Sequence, residues 1–163
     1  MGRRVRRAAA VVVAIALGGC GGDNPEAVPS FEAVDTVTGA AVTPADLRGQ
    51  PALLAAWATW CVPCERELPA LEAALPEIEA AGVRVVAVNV DVPSVDGDTV
   101  DEMLERLAPS LESWRDDSSE ILAAYEGTFM PFSVLIDEDG EVVERWLGAL
   151  DPGSDDFMAA IGG

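Results

Sequence analysis

The reading of this chain turns on residues 52–64, Ala52-Leu53-Leu54-Ala55-Ala56-Trp57-Ala58-Thr59-Trp60-Cys61-Val62-Pro63-Cys64. Ala52 to Trp57 is a continuous apolar run, which predicts a strand buried on both faces and therefore central in a sheet. Beyond the cysteines, Leu68, Leu71, Leu75 and Ile78 recur at helical spacing up to Gly82, so a long helix follows directly, with Pro69 and Pro76 expected to kink it. Cys61 and Cys64 thus stand at a strand-to-helix junction. Unsatisfied backbone N–H groups and the positive helix end favour a thiolate there, which lowers the pKa of Cys61. Cys64 lies one turn further in, close enough to bond Cys61 and shielded by the helix. The pair reads as a reversible switch in which Cys61 attacks and Cys64 resolves, with Pro63 stiffening the turn.

Other uses of the same spacing fare worse. Half of a zinc site also reads CxxC, but zinc wants four ligands, and the chain has no histidine and only three cysteines. No metal is therefore expected. The missing histidine also removes haem attachment after Cys64 and any cysteine–histidine protease. A permanent disulfide across so short a loop would stabilise little.

Working outward, Val83 to Val90 is a second apolar run rich in valine, and strand, helix and strand in succession predict a right-handed crossover between parallel strands. Val100, Met103, Leu104 and Leu107 form another helical stripe, with a short strand near Leu111 to Trp114 and a helix at Ile121, Leu122 and Tyr125. Phe132 to Ile136 and Val142 to Leu147 flank Asp139-Gly140 as an antiparallel hairpin, and a short acidic helix follows from Asp151. At the front, Phe31 to Val42 flank Thr38-Gly39 as a smaller hairpin, and Thr43-Pro44 opens a helical turn. This order predicts a single α/β domain over residues 31–163.

The run Trp57-Ala58-Thr59-Trp60-Cys61-Val62-Pro63-Cys64, with Glu67 and Pro69 behind it, resembles the thioredoxin superfamily, specifically the TlpA/ResA-type membrane-anchored thiol–disulfide oxidoreductases. The resemblance extends to Gly127-Thr128-Phe129-Met130-Pro131 and the hairpin after it. It implies a thioredoxin-like fold, a central mixed β-sheet flanked by helices with an N-terminal β-hairpin extension. The residues alone leave Pro131 open between an ordinary trans proline and a cis one. The resemblance implies the cis form, with Met130 offering its N–H and C=O to a substrate strand and with Trp60, Val62 and Pro63 contributing to the docking surface. Helical spacing leaves Glu67 either inward near the cysteines or out in water; the resemblance implies that it tunes their pKa and handles protons.

Trp57 and Trp60 flank the site and read as core and wall packing, Trp114 and Trp146 as structural. Two departures alter the electrostatics: Ala55 stands where relatives often have a buried Asp or Asn, and Glu65 follows Cys64 in place of a basic residue. The first leaves Glu67 as the nearest proton acceptor, and the second opposes the thiolate of Cys61.

The first 19 residues differ in kind. Arg3, Arg4, Arg6 and Arg7 precede an apolar stretch from Ala8 to Leu17, the layout of an export leader and too short for a stable membrane span. Leu17-Gly18-Gly19-Cys20 resembles a lipobox, which makes Cys20 an acylated anchor in a lipid bilayer and accounts for the odd cysteine. Residues 20–30 then read as that anchor and a flexible linker. Four of the ten basic residues and none of the 29 acidic ones fall in the leader, so the remainder carries six basic against 29 acidic residues, a net charge of −23. Nucleic acid is excluded as a partner.

The expectation is an exported, lipid-anchored thiol–disulfide oxidoreductase that needs no cofactor. The resemblance favours the reducing direction, with cysteine-bearing exported proteins, cytochrome c apoproteins among them, as substrates and a membrane thiol–disulfide donor supplying electrons. The rivals are a disulfide oxidant of the same fold and a non-catalytic binding module. A peroxidase lacks its expected threonine and proline spacing.

Overall fold

The computed structural model describes residues 30–162. The expected leader, acylated Cys20 and flexible linker fall on residues 1–29 and lie outside the described residues. Among these residues seven strands form one sheet, in the spatial order β2 (Ala41–Val42), β1 (Ala33–Asp35), β5 (Glu112–Arg115), β4 (Arg84–Asn89), β3 (Ala52–Trp57), β6 (Phe132–Ile136) and β7 (Val142–Leu147).

The quoted run becomes β3 (Ala52–Trp57), buried at every position. It pairs in parallel with β4 (Arg84–Asn89), from Ala52 opposite Arg84 to Trp57 opposite Asn89. Its other neighbour is β6 (Phe132–Ile136), antiparallel, with Ala56 opposite Phe132. Having neighbours on both sides and helices over the faces explains why an unbroken apolar run is stable here without alternation. β5 (Glu112–Arg115) extends the parallel set, and β7 (Val142–Leu147) closes the other edge antiparallel to β6.

The N-terminal hairpin is smaller than its span suggested. It reduces to β1 (Ala33–Asp35) and β2 (Ala41–Val42), because the Asp35 carboxylate accepts the N–H groups of Val37 at 3.0 Å and Thr38 at 2.7 Å and holds the intervening residues as a turn. β1 docks antiparallel on β5. At the following 3₁₀ turn, Pro44–Leu47, the Asp46 carboxylate caps the N–H of Thr43 at 2.8 Å.

α1 (Cys64–Ala80) runs on through Pro69 and Pro76 as one helix. Leu68, Leu71, Leu75 and Ile78 are buried along it, as their spacing demands. It stops at Gly82, whose φ of +84° lets its N–H reach the Glu79 carbonyl at 2.9 Å while Val83 N–H reaches Ile78 at 3.2 Å. This pair of bonds is a Schellman ending, and glycine adopts that backbone without strain.

The remaining helices are α2 (Gly97–Leu107), α3 (Glu120–Ala124) and α4 (Asp155–Ile161). Among the described residues no helix is long and apolar enough to cross a membrane.

The turn leading into β6 is tightly packed at Gly127, where an added Cβ would lie 2.5 Å from Leu122 Cδ2 and 2.8 Å from Phe132 Cδ1. Gly127→Ala is therefore expected to cost about 1–3 kcal/mol by overpacking, read as a lower urea midpoint at unchanged slope. A midpoint equal to wild type would show that these neighbours yield freely.

Candidate active site

The parallel ladder ends at Trp57, and α1 begins after six intervening residues, so Cys61 and Cys64 occupy the strand-to-helix junction. They are joined as a disulfide, with Cα atoms 5.3 Å apart. Cys61 is 3% exposed and Cys64 1%. Both belong to the core, with Cys61 slightly the more exposed of the two.

One expectation about this junction needs correcting. The N–H groups at the start of α1 are not free: Cys64 donates to the Cys61 carbonyl at 3.0 Å, Glu65 to Val62 at 3.3 Å, and Arg66 and Glu67 to Pro63 at 3.1 and 3.3 Å. The cause is that Pro63 already has helical dihedrals, φ −64° and ψ −30°, so the residues between the cysteines supply the missing carbonyls. What remains to favour a thiolate on Cys61 is the field of the helix end.

Glu67 points inward. It is buried on α1 and receives two hydrogen bonds, from the Ser133 hydroxyl at 3.0 Å on Oε1 and from the Leu150 N–H at 3.0 Å on Oε2. Burial pushes its carboxyl up to about 7, opposed by those two donors, which favour the charged form. A carboxyl near 7 one turn beyond a buried thiol is suited to exchanging protons in the neutral range. Ala55 is paired directly with Ser133, so the two side chains share a face of the sheet. Glu65 is exposed and turned to water.

Pro131 is buried just before β6, and the Met130–Pro131 peptide is cis. Because Ala56 opposes Phe132, this proline and the exit of β3 toward the cysteines lie at the same end of the sheet. Around it the surface is apolar: Trp60 is 63% exposed, Val62 68% and Phe129 69%. Pro63 and Met130 are half-buried beside them. Trp57 and Trp114 are core residues, while Trp146 packs at a tilt of 59° against Phe157, ring centroids 5.5 Å apart. Phe129 was not among the residues singled out in sequence, although it stands in the quoted Gly127 to Pro131 stretch.

Residues 25–154 match the AhpC/TSA family. The chain belongs to that family. Among curated AhpC/TSA-like relatives, the thiol–disulfide oxidoreductase ResA of Geobacillus kaustophilus is 35% identical over 105 residues, 64% of this chain and 59% of that protein. ResA of Bacillus cereus is 31% identical over 120 residues, 74% of this chain and 67% of that protein. The match to the Geobacillus protein thus spans less than two thirds of its length. Among solved structures, a protein from Chlorobium tepidum described as a thiol:disulfide interchange protein DsbE superposes with a TM-score of 0.69 at 26% identity, covering 83% of this chain and 95% of that one. StoA from Bacillus subtilis gives 0.63 at 25%, covering 77% and 92%. The fold of this AhpC/TSA member is thioredoxin-like.

Ser133, the Leu150 N–H and a second buried carboxylate, Asp91, escaped the sequence. Asp91 had a signal: Asn89-Val90-Asp91 places two polar groups at the end of an otherwise apolar run. Strand ends there usually turn to solvent, and both side chains are instead buried.

Proposed function

We propose that this protein is a thiol–disulfide oxidoreductase acting in the reducing direction on exported proteins with cysteine pairs. The observation that carries the reading is the Cys61–Cys64 disulfide at the head of α1 with the carboxyl of Glu67 buried one turn behind it. The names of the relatives support the same chemistry.

In the reduced form the Cys61 thiolate attacks one sulfur of a substrate disulfide, and the other substrate sulfur leaves as a thiolate. Cys61 is now joined to the substrate. Cys64 gives up its proton and attacks the Cys61 sulfur, which releases the second substrate sulfur and closes the Cys61–Cys64 disulfide. Two electrons have passed to the substrate, and in this reading Glu67, one turn behind Cys64 on α1, takes the proton from Cys64. The apolar rim of Trp60, Val62 and Phe129 packs against the substrate, whose backbone adds as a strand beside Met130. Return to the dithiol form needs an external dithiol, and a membrane thiol–disulfide donor fits an anchored domain. The lipobox-like Leu17 to Cys20 supports lipid attachment through Cys20.

One experiment tests reaction and location together. Cys64→Ser expressed in the source cells leaves the first attack intact and removes the resolving thiol. A stalled disulfide between Cys61 and an exported protein is expected in the membrane fraction, shifting to the soluble fraction when Cys20→Ala is added. Absence of any Cys61 adduct from cells rich in substrate would remove the enzymatic reading, and an adduct whose location ignores Cys20 would remove the anchor.

A further inference from the structure

The backbone ladder between β3 and β4 ends with Val90 N–H donating to the Trp57 carbonyl at 3.0 Å. Beyond it a side chain takes over. Asp91 is buried in the core, and its Oδ2 accepts the Thr59 N–H at 2.8 Å while its Oδ1 accepts the Thr59 hydroxyl at 3.0 Å. Asn89, equally buried, donates from Nδ2 to Oδ2 at 2.9 Å and accepts the Asp91 N–H at 3.2 Å. All these donors are neutral, so no cation offsets the burial of this carboxyl among its hydrogen-bond partners.

A buried acid without a cation is a costly way to satisfy one backbone N–H, which any carbonyl would do. What a carboxylate adds is a two-point hold on a single residue. That residue matters because of where it lies. Cys61 N–H closes a turn onto the Ala58 carbonyl at 3.0 Å, and Thr59 and Trp60 are the central residues of that turn. Asp91 therefore grips the middle of the turn that carries the attacking sulfur. It does so from the β4 side of β3, whereas Glu67 is bonded to Ser133 on β6, the opposite neighbour.

We propose that Asp91 is a positioning residue for Cys61: through its paired hydrogen bonds to Thr59 it fixes the Ala58–Cys61 turn, and so the line along which the sulfur meets a docked substrate disulfide. This rests on the exchange reading of the site. A small reagent needs only access to the sulfur, while a substrate strand held beside Met130 also fixes the angle at which its disulfide arrives.

The test compares two reactions of the reduced full chain at one pH: exchange with a disulfide-bonded peptide and alkylation of Cys61 by iodoacetamide. Asp91→Asn and Thr59→Val each remove an acceptor or donor from the grip. They are expected to slow peptide exchange by about tenfold and about threefold, the loss of one or two hydrogen bonds in the transition state. Alkylation should stay within about twofold of wild type, and Thr59→Ser, which keeps hydroxyl and N–H, should restore peptide exchange.

Unchanged peptide exchange in both variants, with only a lower melting temperature, would reduce Asp91 to a structural role and overturn the proposal. An equal fall in alkylation would overturn it as well, since the effect would then lie on the thiol's reactivity and not on its placement. If Asp91→Asn does not fold, the Thr59→Val and Thr59→Ser pair decides alone. A wild-type protein inert toward the peptide would sink the exchange reading itself, and this one with it.

Discussion

Cys61→Ser is expected to lower the rate constant for exchange with a disulfide peptide at neutral pH on the order of 10³-fold or more, leaving only background reaction. The reason is ionisation: a serine hydroxyl gives no useful population of anion where a cysteine at a helix head does. Little of that loss can come from unfolding. The reduced wild type that performs the exchange already lacks the Cys61–Cys64 cross-link, so the variant gives up no further loop closure. A melting curve of the variant against reduced wild type, where the disulfide is already absent, separates the two effects. Exchange persisting at a tenth of the wild-type rate would mean that Cys64 or some other group attacks, and the roles given to the two cysteines would be wrong. A wild type that fails to exchange with any peptide or with insulin would instead favour the non-catalytic module. A redox potential far above those of known reductants would favour the oxidant.

Glu67→Gln should change how both stability and exchange depend on pH. Burial lifts the folded-state value from an ordinary 4.5 to about 7. Between those two values the folded protein holds a proton that the unfolded chain has released. The stability this group contributes is therefore fully present below about pH 4.5, declines as pH rises, and is gone above about 7. At 1.36 kcal/mol per pH unit the swing is about 3 kcal/mol.

Glutamine fits the same place without titrating: its oxygen accepts the Leu150 N–H, and the Ser133 hydroxyl rotates to accept from its amide. The oxidised variant is expected to lose this decline, measured by urea unfolding at pH 4.5 and 8. In the reduced protein, the part of the pH dependence of exchange that follows Glu67 should disappear, leaving the inflection of the attacking thiol, because the proton from Cys64 has lost its acceptor. Identical pH slopes in variant and wild type would show that Glu67 exchanges no proton in this range.

The parts of the fold legible in sequence were those where one local signal sufficed. β6 and β7 occupy the spans expected of them, since Asp139-Gly140 fixes the turn and the apolar runs fix the strands. β3 and α1 were readable because burial on both faces, and then helical spacing, leave little choice. The helix expected around Ile121 shrank to Glu120–Ala124, because Glu126 takes a positive φ of 62° and the chain must turn through Gly127 toward β6.

The candidate site was legible only to its first layer. Cys61 and Cys64 announce themselves, but whether Glu67 faces in or out is decided by Ser133, 66 residues away in sequence. No periodicity carries that information. The free N–H groups expected at the head of α1 were a misreading of another kind, in that a proline with helical dihedrals extends the hydrogen-bonded turn back to the cysteines. Asp91 escaped because a polar residue after an apolar run ordinarily marks a strand's exit to water.

The pairing of β3 with β6 joins Ala56 to Phe132 across most of the domain. A ribosome delivers the amino end first, so both cysteines are made well before Pro131 and the strand that follows it. Until then β3 has β4 for company and nothing on its other edge, and the sulfurs lack the surface that would select among passing thiols. A chain made only as far as residue 128 would hold both cysteines and the Trp60 and Val62 part of the rim, but not the Met130–Pro131 edge beside which a substrate strand is proposed to add.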